Sequence, residues 1–184
     1  MRLTIEYDEC VESPADDSQW EIYSFSSRHR NFKHPENFFP LNIGLRRKLE
    51  VGTAFLLSYY EHGLCLWSLS GEGPNCRWDS VGTAGILIYR DPIKYLPKEY
   101  SERAEYARSF LKEYTEWCNG EVFCYCIESE SECDKCEQVE REIIDSCGGF
   151  IGSESILDSL KDEHPELFEK EAKVEVVGNA SYIF

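Results

Sequence analysis

The chain opens with an alternating pattern, in which Leu3, Ile5 and Tyr7 are separated by polar residues. Alternation of this kind predicts a half-buried strand. Residues 20–25 predict another short ordered segment. Runs rich in β-branched and aromatic residues predict further strands. We expect these strands over 51–60, 64–70, 82–89, 121–128, 138–146 and 174–177, with Gly148-Gly149 ending the strand of 138–146.

A helical period replaces this alternation over 101–118. Ala104, Ala107, Leu111 and Tyr114 recur at helical spacing, and Asn119-Gly120 follows as a stop signal. Shorter helices are predicted from a capping box at 155–158 and over 165–172, which Pro165 opens. Since strands dominate and the helices do not alternate strictly with them, the pattern favours an α+β fold with a mostly antiparallel sheet. The length of 184 residues favours a single domain over 1–184.

Charge is distributed unevenly. The chain has 35 acidic and 19 basic residues, for a net charge of −16. That balance excludes a generally basic nucleic-acid coat protein. It fits a soluble protein that repels DNA, or one that presents acid to a basic partner. Residues 121–175 hold 17 acids and 5 bases, and we expect a partner-binding face there. Its candidate residues are Glu128, Glu130, Glu132 and Glu137.

A basic segment lies at 28–48, where six bases accompany one acid. The bases are Arg28, Arg30, Lys33, Arg46, Arg47 and Lys48. Phe32, Phe38 and Phe39 interleave with them, as is typical of a loop that makes weak nucleic-acid or partner contacts. The alternative is that these aromatic side chains pack the segment onto the core.

Nine cysteines are present, and the first residues run directly into the strand pattern. We therefore expect no secretory signal, reduced thiols and a cytoplasmic protein without a membrane span. Cys124, Cys126, Cys133 and Cys136 have a spacing that would suit one structural zinc ion. The alternative is that these four are reduced and partly buried thiols.

Two sets of residues are candidates for cysteine chemistry. His62, Cys76 and Asp79 would supply a base, a nucleophile and an orienting acid, and Cys147 next to Gly148-Gly149 is a second candidate nucleophile. The alternative for the first set is structural: Cys76 and Trp78 fill the core, while Asp79 and Ser80 hold a turn.

Three separated motifs occur in a fixed order. They are Tyr60-Glu61-His62-Gly63, Cys76-Arg77-Trp78-Asp79-Ser80-Val81-Gly82 and Asp145-Ser146-Cys147-Gly148-Gly149-Phe150-Ile151-Gly152. Over roughly residues 17–155 the chain resembles a widespread family of small proteins carried by bacteriophages, prophages and plasmids. That family shows Tyr-(Glu/Asp)-His-Ser-Gly, Cys-Pro-Trp-Asp-Ser-Gly-x-Val-Gly and Asp-Ser-Cys-x-Gly-Phe-Tyr-Gly. The chain departs from it at Gly63, Arg77 and Val81.

The resemblance implies a phage-type counter-defence protein in the cytoplasm of a bacterial host. Some small acidic proteins of mobile elements are anti-CRISPR proteins, and this chain resembles those that block Cas9. The expected partner is then Cas9 or its guide-RNA complex, bound stoichiometrically and without turnover. A cysteine-dependent enzyme and a zinc-stabilised binding module remain the alternatives.

Overall fold

The computed structural model describes residues 1–30, 33, 43–132, 139–169 and 174–184. In chain order its elements are β1 (Arg2–Tyr7), α1 (Pro14–Asp17), β2 (Trp20–Ser24), α2 (Ile43–Val51), β3 (Ala54–His62), β4 (Leu64–Leu69), β5 (Ser80–Tyr89), α3 (Tyr100–Cys118), β6 (Val122–Glu132), β7 (Val139–Ile151), α4 (Ser153–Glu163) and β8 (Glu175–Val177). Short 3-10 turns occupy Ile93–Tyr95, Pro165–Phe168 and Ser181–Ile183. The predicted α+β class is confirmed, with two mostly antiparallel four-stranded sheets instead of one.

The chain folds into two compact units. Unit 1 contains Met1–Val11 and Gly120–Phe184, and unit 2 contains Glu12–Asn119. The sheet of unit 1 has the strand order β7-β6-β1-β8, and that of unit 2 has the order β2-β5-β3-β4.

The core of unit 1 follows from the period of two in β1 and β6. These strands pair antiparallel with Leu3 opposite Ile127 and Ile5 opposite Tyr125, so the four side chains share one face of the sheet. Helix α4 supplies Ile156 and Leu160 to the same core. The opposite face of β6 therefore carries the residues between them, starting with Cys124 and Cys126.

The core of unit 2 is built around aromatic residues and α3. The predicted helix of 101–118 is confirmed as α3, which begins one residue earlier and ends at the same residue. Its apolar stripe is buried against Trp20, Phe55, Trp67 and Leu87 of the sheet. Because that stripe recurs at helical spacing, one face of α3 is buried while its polar face stays exposed.

Several predicted boundaries were wrong. Helix α4 begins at Ser153, after Gly152, and not at a capping box over 155–158. The segment predicted as a helix over 165–172 begins as the 3-10 turn Pro165–Phe168. The strand predicted over 51–60 begins only at Ala54, because helix α2 extends to Val51.

The pair Gly148-Gly149 does not end its strand, and β7 continues through it to Ile151. The register shifts there, since Phe123 faces Phe150 while Tyr125 faces Cys147. Such a shift is a β-bulge, and Gly149 has the positive φ of 81° that such bulges often require.

Candidate functional site

Strand pairing in unit 2 brings together the first two of the three sequence motifs. Tyr60 of β3 lies opposite Ser80 of β5, and the Glu61 amide donates to the Asp79 carbonyl at 3.0 Å. Gly63, with φ of 82°, then turns the chain from β3 into β4. The loop of 70–79 joins β4 to β5 of the same sheet. The first motif lies at the end of β3, and the second lies at the end of this loop and the start of β5, which pairs with β3.

Ser80 fixes the end of this loop. Its hydroxyl accepts from the Cys76 amide at 2.9 Å and donates to the Pro74 carbonyl at 2.7 Å. The Ser80 amide in turn donates to the Cys76 carbonyl at 3.1 Å. Three hydrogen bonds across a few residues are typical of a structural turn.

One carboxylate oxygen of Asp79 contacts two candidate catalytic groups. It lies 3.3 Å from Nδ1 of His62 and 3.3 Å from the Cys76 thiol, which donates to it. In a thiol nucleophile site the imidazole contacts the sulfur, and the acid orients the imidazole from its other nitrogen. Here the Asp79 carboxylate lies between the thiol and the imidazole. The arrangement joins the two motifs, but the hydrogen-bond partner of the thiol is the carboxylate and not the imidazole.

Trp78 does not fill the core, and the structural interpretation of this residue was wrong. Its side chain is 83% exposed, with the Arg77 guanidinium 5.1 Å from the ring centre. The reason lies in its position: Trp78 belongs to a Gly- and Pro-containing loop that leads into β5. An exposed indole beside charged groups is a surface on which a partner can pack.

A cavity of about 390 Å³ opens beside Trp78. Its walls include Phe25, Arg28, His29, Tyr59 and Glu61. It thus combines aromatic faces with a guanidinium and a carboxylate, and its size falls within the range of small-molecule sites.

Beneath the first motif, Glu61 is held by a network that the sequence did not reveal. The Tyr59 hydroxyl donates to one Glu61 oxygen at 2.6 Å, and Nε of Arg30 donates to the other at 3.1 Å. Arg30 also donates to the side-chain oxygen of Asn119 at 3.2 Å. The hydrogen bond from Tyr59, followed by the contact with Arg30, lowers the pKa of Glu61. No local spacing signals this network, because Arg30 and Glu61 are far apart in the chain.

His29 is the buried histidine of this region. Its ring packs against the Tyr59 ring at a tilt of 34°, with centroids 4.4 Å apart, and its Nδ1 lies 2.6 Å from the Ser24 hydroxyl. Burial lowers the pKa of His29, while the nearby charge of Glu61 opposes that effect. The lowered pKa favours the neutral imidazole at this buried position.

The third motif lies in unit 1, on β7. Cys147 is exposed, and its thiol lies 3.8 Å from the Gly148 carbonyl. The Gly149 amide donates to the Asp8 carboxylate at 3.1 Å, and a Cβ atom at Gly148 would lie 2.7 Å from the same carboxylate. The glycine pair thus allows the close approach of Asp8.

Asp145, from the same motif, takes part in a cluster of polar side chains. Its carboxylate accepts from the Tyr125 hydroxyl at 2.9 Å and lies 2.8 Å from Nε2 of His164. The contact with His164 is the largest cause that lowers the pKa of Asp145, and it raises the pKa of His164 in return. Sequence reasoning missed His164 and Tyr125, since neither lies near the motif in the chain.

The acidic residues are concentrated in unit 1. Unit 1 carries 20 acidic and 6 basic residues, for a net charge of −14, whereas unit 2 carries 15 and 13, for −2. Of the predicted partner-binding acids, Glu128 is half-buried, and Glu130 pairs with Arg141 at 2.9 Å. The side chain of Glu132 and the whole of Glu137 lie outside the described residues.

The predicted zinc ligands divide between described and undescribed residues. Cys124 and Cys126 are half-buried on the face of β6 that points away from the Tyr125 side chain. Burial raises the pKa of both thiols. Cys133 and Cys136 lie outside the described residues. None of the seven cysteines that the structure describes forms a disulfide.

The bases of the 28–48 segment have separate roles. Arg30 belongs to the Glu61 network, and Arg28 lines the cavity. Arg46 pairs with Glu50 along α2 at 3.0 Å, and the Lys33 ammonium lies 5.6 Å from the centre of the Tyr23 ring. Arg47 and Lys48 lie on α2, whereas the three phenylalanines of the segment lie outside the described residues.

No protein-family model, curated protein or solved structure matches the chain. The resemblance to phage proteins therefore stays a prediction. None of the helices that the structure describes combines the length and the apolar character needed to cross a membrane.

Proposed function

We propose that the protein is a counter-defence factor that inhibits a CRISPR nuclease such as Cas9 by stoichiometric binding. The observation that carries this proposal is the separation of charge, with a net −14 in unit 1 against −2 in unit 2. Cas9 holds its guide and target duplex in a positively charged channel. A compact acidic unit has the charge needed to compete for that channel.

Exposed carboxylates on two elements of unit 1 support the proposal. Glu140 and Glu142 are exposed on β7, and Asp162 is exposed on α4. These three are better candidates for direct contact than Glu130, whose carboxylate already pairs with Arg141. In this mechanism the acidic unit occupies the place of a nucleic-acid backbone, and no bond is made or broken.

The proposal is tested by charge reversal in unit 1. A triple variant with Glu140→Lys, Glu142→Lys and Asp162→Lys changes the net charge from −16 to −10. We expect it to lose most of its inhibition of DNA cleavage by a Cas9–guide complex, because complementary charge is replaced by repulsion. Exposed substitutions of this kind should change stability by only about 0.5 kcal/mol each.

A matched control comes from unit 2. The triple Asp91→Lys, Glu102→Lys and Glu113→Lys makes the same change in net charge at exposed positions. It should inhibit nearly as well as the wild type if the acidic surface of unit 1 makes the contact. Equal losses from both triples would indicate a general charge effect, and full inhibition by the unit 1 triple would refute the mechanism.

Salt dependence gives a second measurement on the same proteins. The screening length falls from about 30 Å at 0.01 M salt to about 8 Å at 0.15 M, so an interaction between exposed charges should weaken over that range. Inhibition by the wild type should decline with salt more steeply than inhibition by the unit 1 triple. Inhibition should also saturate near one equivalent of protein for each nuclease.

A further inference from the structure

The side chains of Asp145, Glu163 and His164 converge in unit 1. Asp145 comes from β7, Glu163 is the last residue of α4, and His164 follows it. Each offers one ligand atom, and the three atoms lie within 4.8 Å of one another. Tertiary packing brings the three residues together, because α4 packs over the face of β6 and β7 from which Asp145 projects.

The two nitrogens of His164 have different neighbours. Nε2 lies 2.8 Å from the Asp145 carboxylate, on the side of the convergent atoms. Nδ1 lies 3.3 Å from the Glu166 carboxylate. Metal-binding histidines characteristically ligate through one nitrogen and donate the other N–H to a carboxylate, which fixes the ring. His164 therefore has an outer partner as well as inward-facing neighbours.

The cluster also carries negative charge that its neighbours do not balance. The Tyr125 hydroxyl has one proton and lies 2.9 Å from Asp145 and 3.4 Å from Glu163, so it can donate to only one of them. Among the described residues, His164 is the only cationic side chain that forms an ion pair with this group of carboxylates. The carboxylates of Asp145, Glu163 and Glu166 thus face at most one positive charge, that of His164.

We propose that unit 1 binds a divalent first-row transition-metal ion through Asp145, Glu163 and His164. An imidazole nitrogen with two carboxylate oxygens is a ligand set that zinc accepts, and three protein ligands leave a position for water. Because it includes an imidazole nitrogen, this ligand set differs from the oxygen-only sets that magnesium and calcium prefer. The site is distinct from the predicted cysteine site, because Cys124 and Cys126 lie on the opposite face of β6. The proposal does not depend on inhibition of a nuclease.

Cobalt(II) is the probe that distinguishes the cluster of Asp145, Glu163 and His164 from the predicted cysteine site. It accepts zinc ligand sets, and its visible spectrum changes when it enters a protein site. Thiolate ligands add a strong charge-transfer band in the near ultraviolet, which nitrogen and oxygen ligands do not. We expect saturable binding of cobalt to chelator-treated protein, retained in a variant with Cys124, Cys126, Cys133 and Cys136 replaced by Ser.

Point variants locate the ion. Glu163→Gln removes a ligand at an exposed position and should weaken cobalt binding by at least about tenfold, as measured by titration. Asp162→Asn makes the same charge change at the neighbouring exposed carboxylate and should bind as the wild type does. Glu166→Gln should weaken binding by about 10- to 100-fold, the usual cost of losing an outer-shell partner.

Two outcomes would overturn the proposal. One is that the four-serine variant, folded as judged by circular dichroism, no longer binds cobalt, which would assign the ion to the cysteines. The other is that Glu163→Gln and Asp162→Asn bind cobalt as tightly as the wild type, which would exclude the cluster as the site. His164→Gln provides a second ligand removal, with thermal unfolding in chelator as its folding control.

Discussion

Trp67 and Trp78 lie close together in the sequence and in opposite environments in the structure. Trp67 is 2% exposed on β4, whereas Trp78 is 83% exposed on the loop before β5. We predict that Trp67→Ala lowers the free energy of unfolding by about 3–5 kcal/mol, as large core truncations do. Trp78→Ala should lower it by about 1 kcal/mol or less.

The magnitudes follow from the area that each side chain buries. A buried tryptophan removes up to about 250 Å² from water, which at about 25 cal/mol per Å² corresponds to an upper estimate of about 6 kcal/mol. Trp67 also packs against Tyr59, with centroids 4.6 Å apart, and against His29 at 5.5 Å. Trp78 buries about one-sixth of its surface, or about 40 Å², which is worth about 1 kcal/mol.

Urea unfolding followed by circular dichroism measures both variants. With a slope of about 2 kcal/mol per molar urea, Trp67→Ala should move the midpoint by about 2 M and Trp78→Ala by about 0.5 M or less. If Trp67→Ala does not fold, Trp67→Phe gives an intermediate loss that still ranks the two sites. A loss above about 2 kcal/mol for Trp78→Ala would refute the assignment of this side chain to the surface.

Two further predictions concern His29 and the cysteines. Because burial lowers the pKa of His29, its neutral form contributes stability that is complete above the ordinary pKa of about 6.5 and is lost as the pH falls below it. When the pH is lowered from about 7.5 to about 5, the free energy of unfolding measured in urea should therefore fall less for His29→Gln than for the wild type. Equal losses in the two proteins would contradict this interpretation of His29. Cys76→Ser retains a donor for Asp79, and Cys147→Ser changes an exposed side chain, so both should inhibit a Cas9–guide complex at the wild-type ratio. A folded serine variant without inhibition would favour the cysteine-enzyme alternative instead.

The parts of the fold that the sequence predicted well are those fixed by local periods. Helix α3 follows from an apolar stripe at helical spacing and a stop at Asn119-Gly120. Strand β1 follows from the alternation of Leu3, Ile5 and Tyr7. In each case the burial of one face requires the period that the sequence displays, so local pattern and tertiary packing agree.

The site was harder to predict because its contacts are not local. Trp78 has an apolar side chain, but it occupies a loop where no element of the described chain covers it. Gly148-Gly149 has the composition of a strand end, yet Asp8 approaches from another segment and the pair becomes a bulge inside β7. The contact of Asp145 with His164 depends on α4 returning across the sheet, which no spacing rule specifies.

The separation of charge links the two proposals physically. Like charges concentrated in one compact unit repel one another and lower its stability. In unit 1 the pair of Glu130 with Arg141 relieves part of that repulsion, and the contacts of His164 with Asp145 and Glu166 relieve another part. The excess that remains favours any cation that reaches it, whether a metal ion or a basic protein surface. A bound divalent ion would cancel two of the negative charges, so metal binding should reduce the attraction of unit 1 for a basic channel, and the two equilibria should oppose each other.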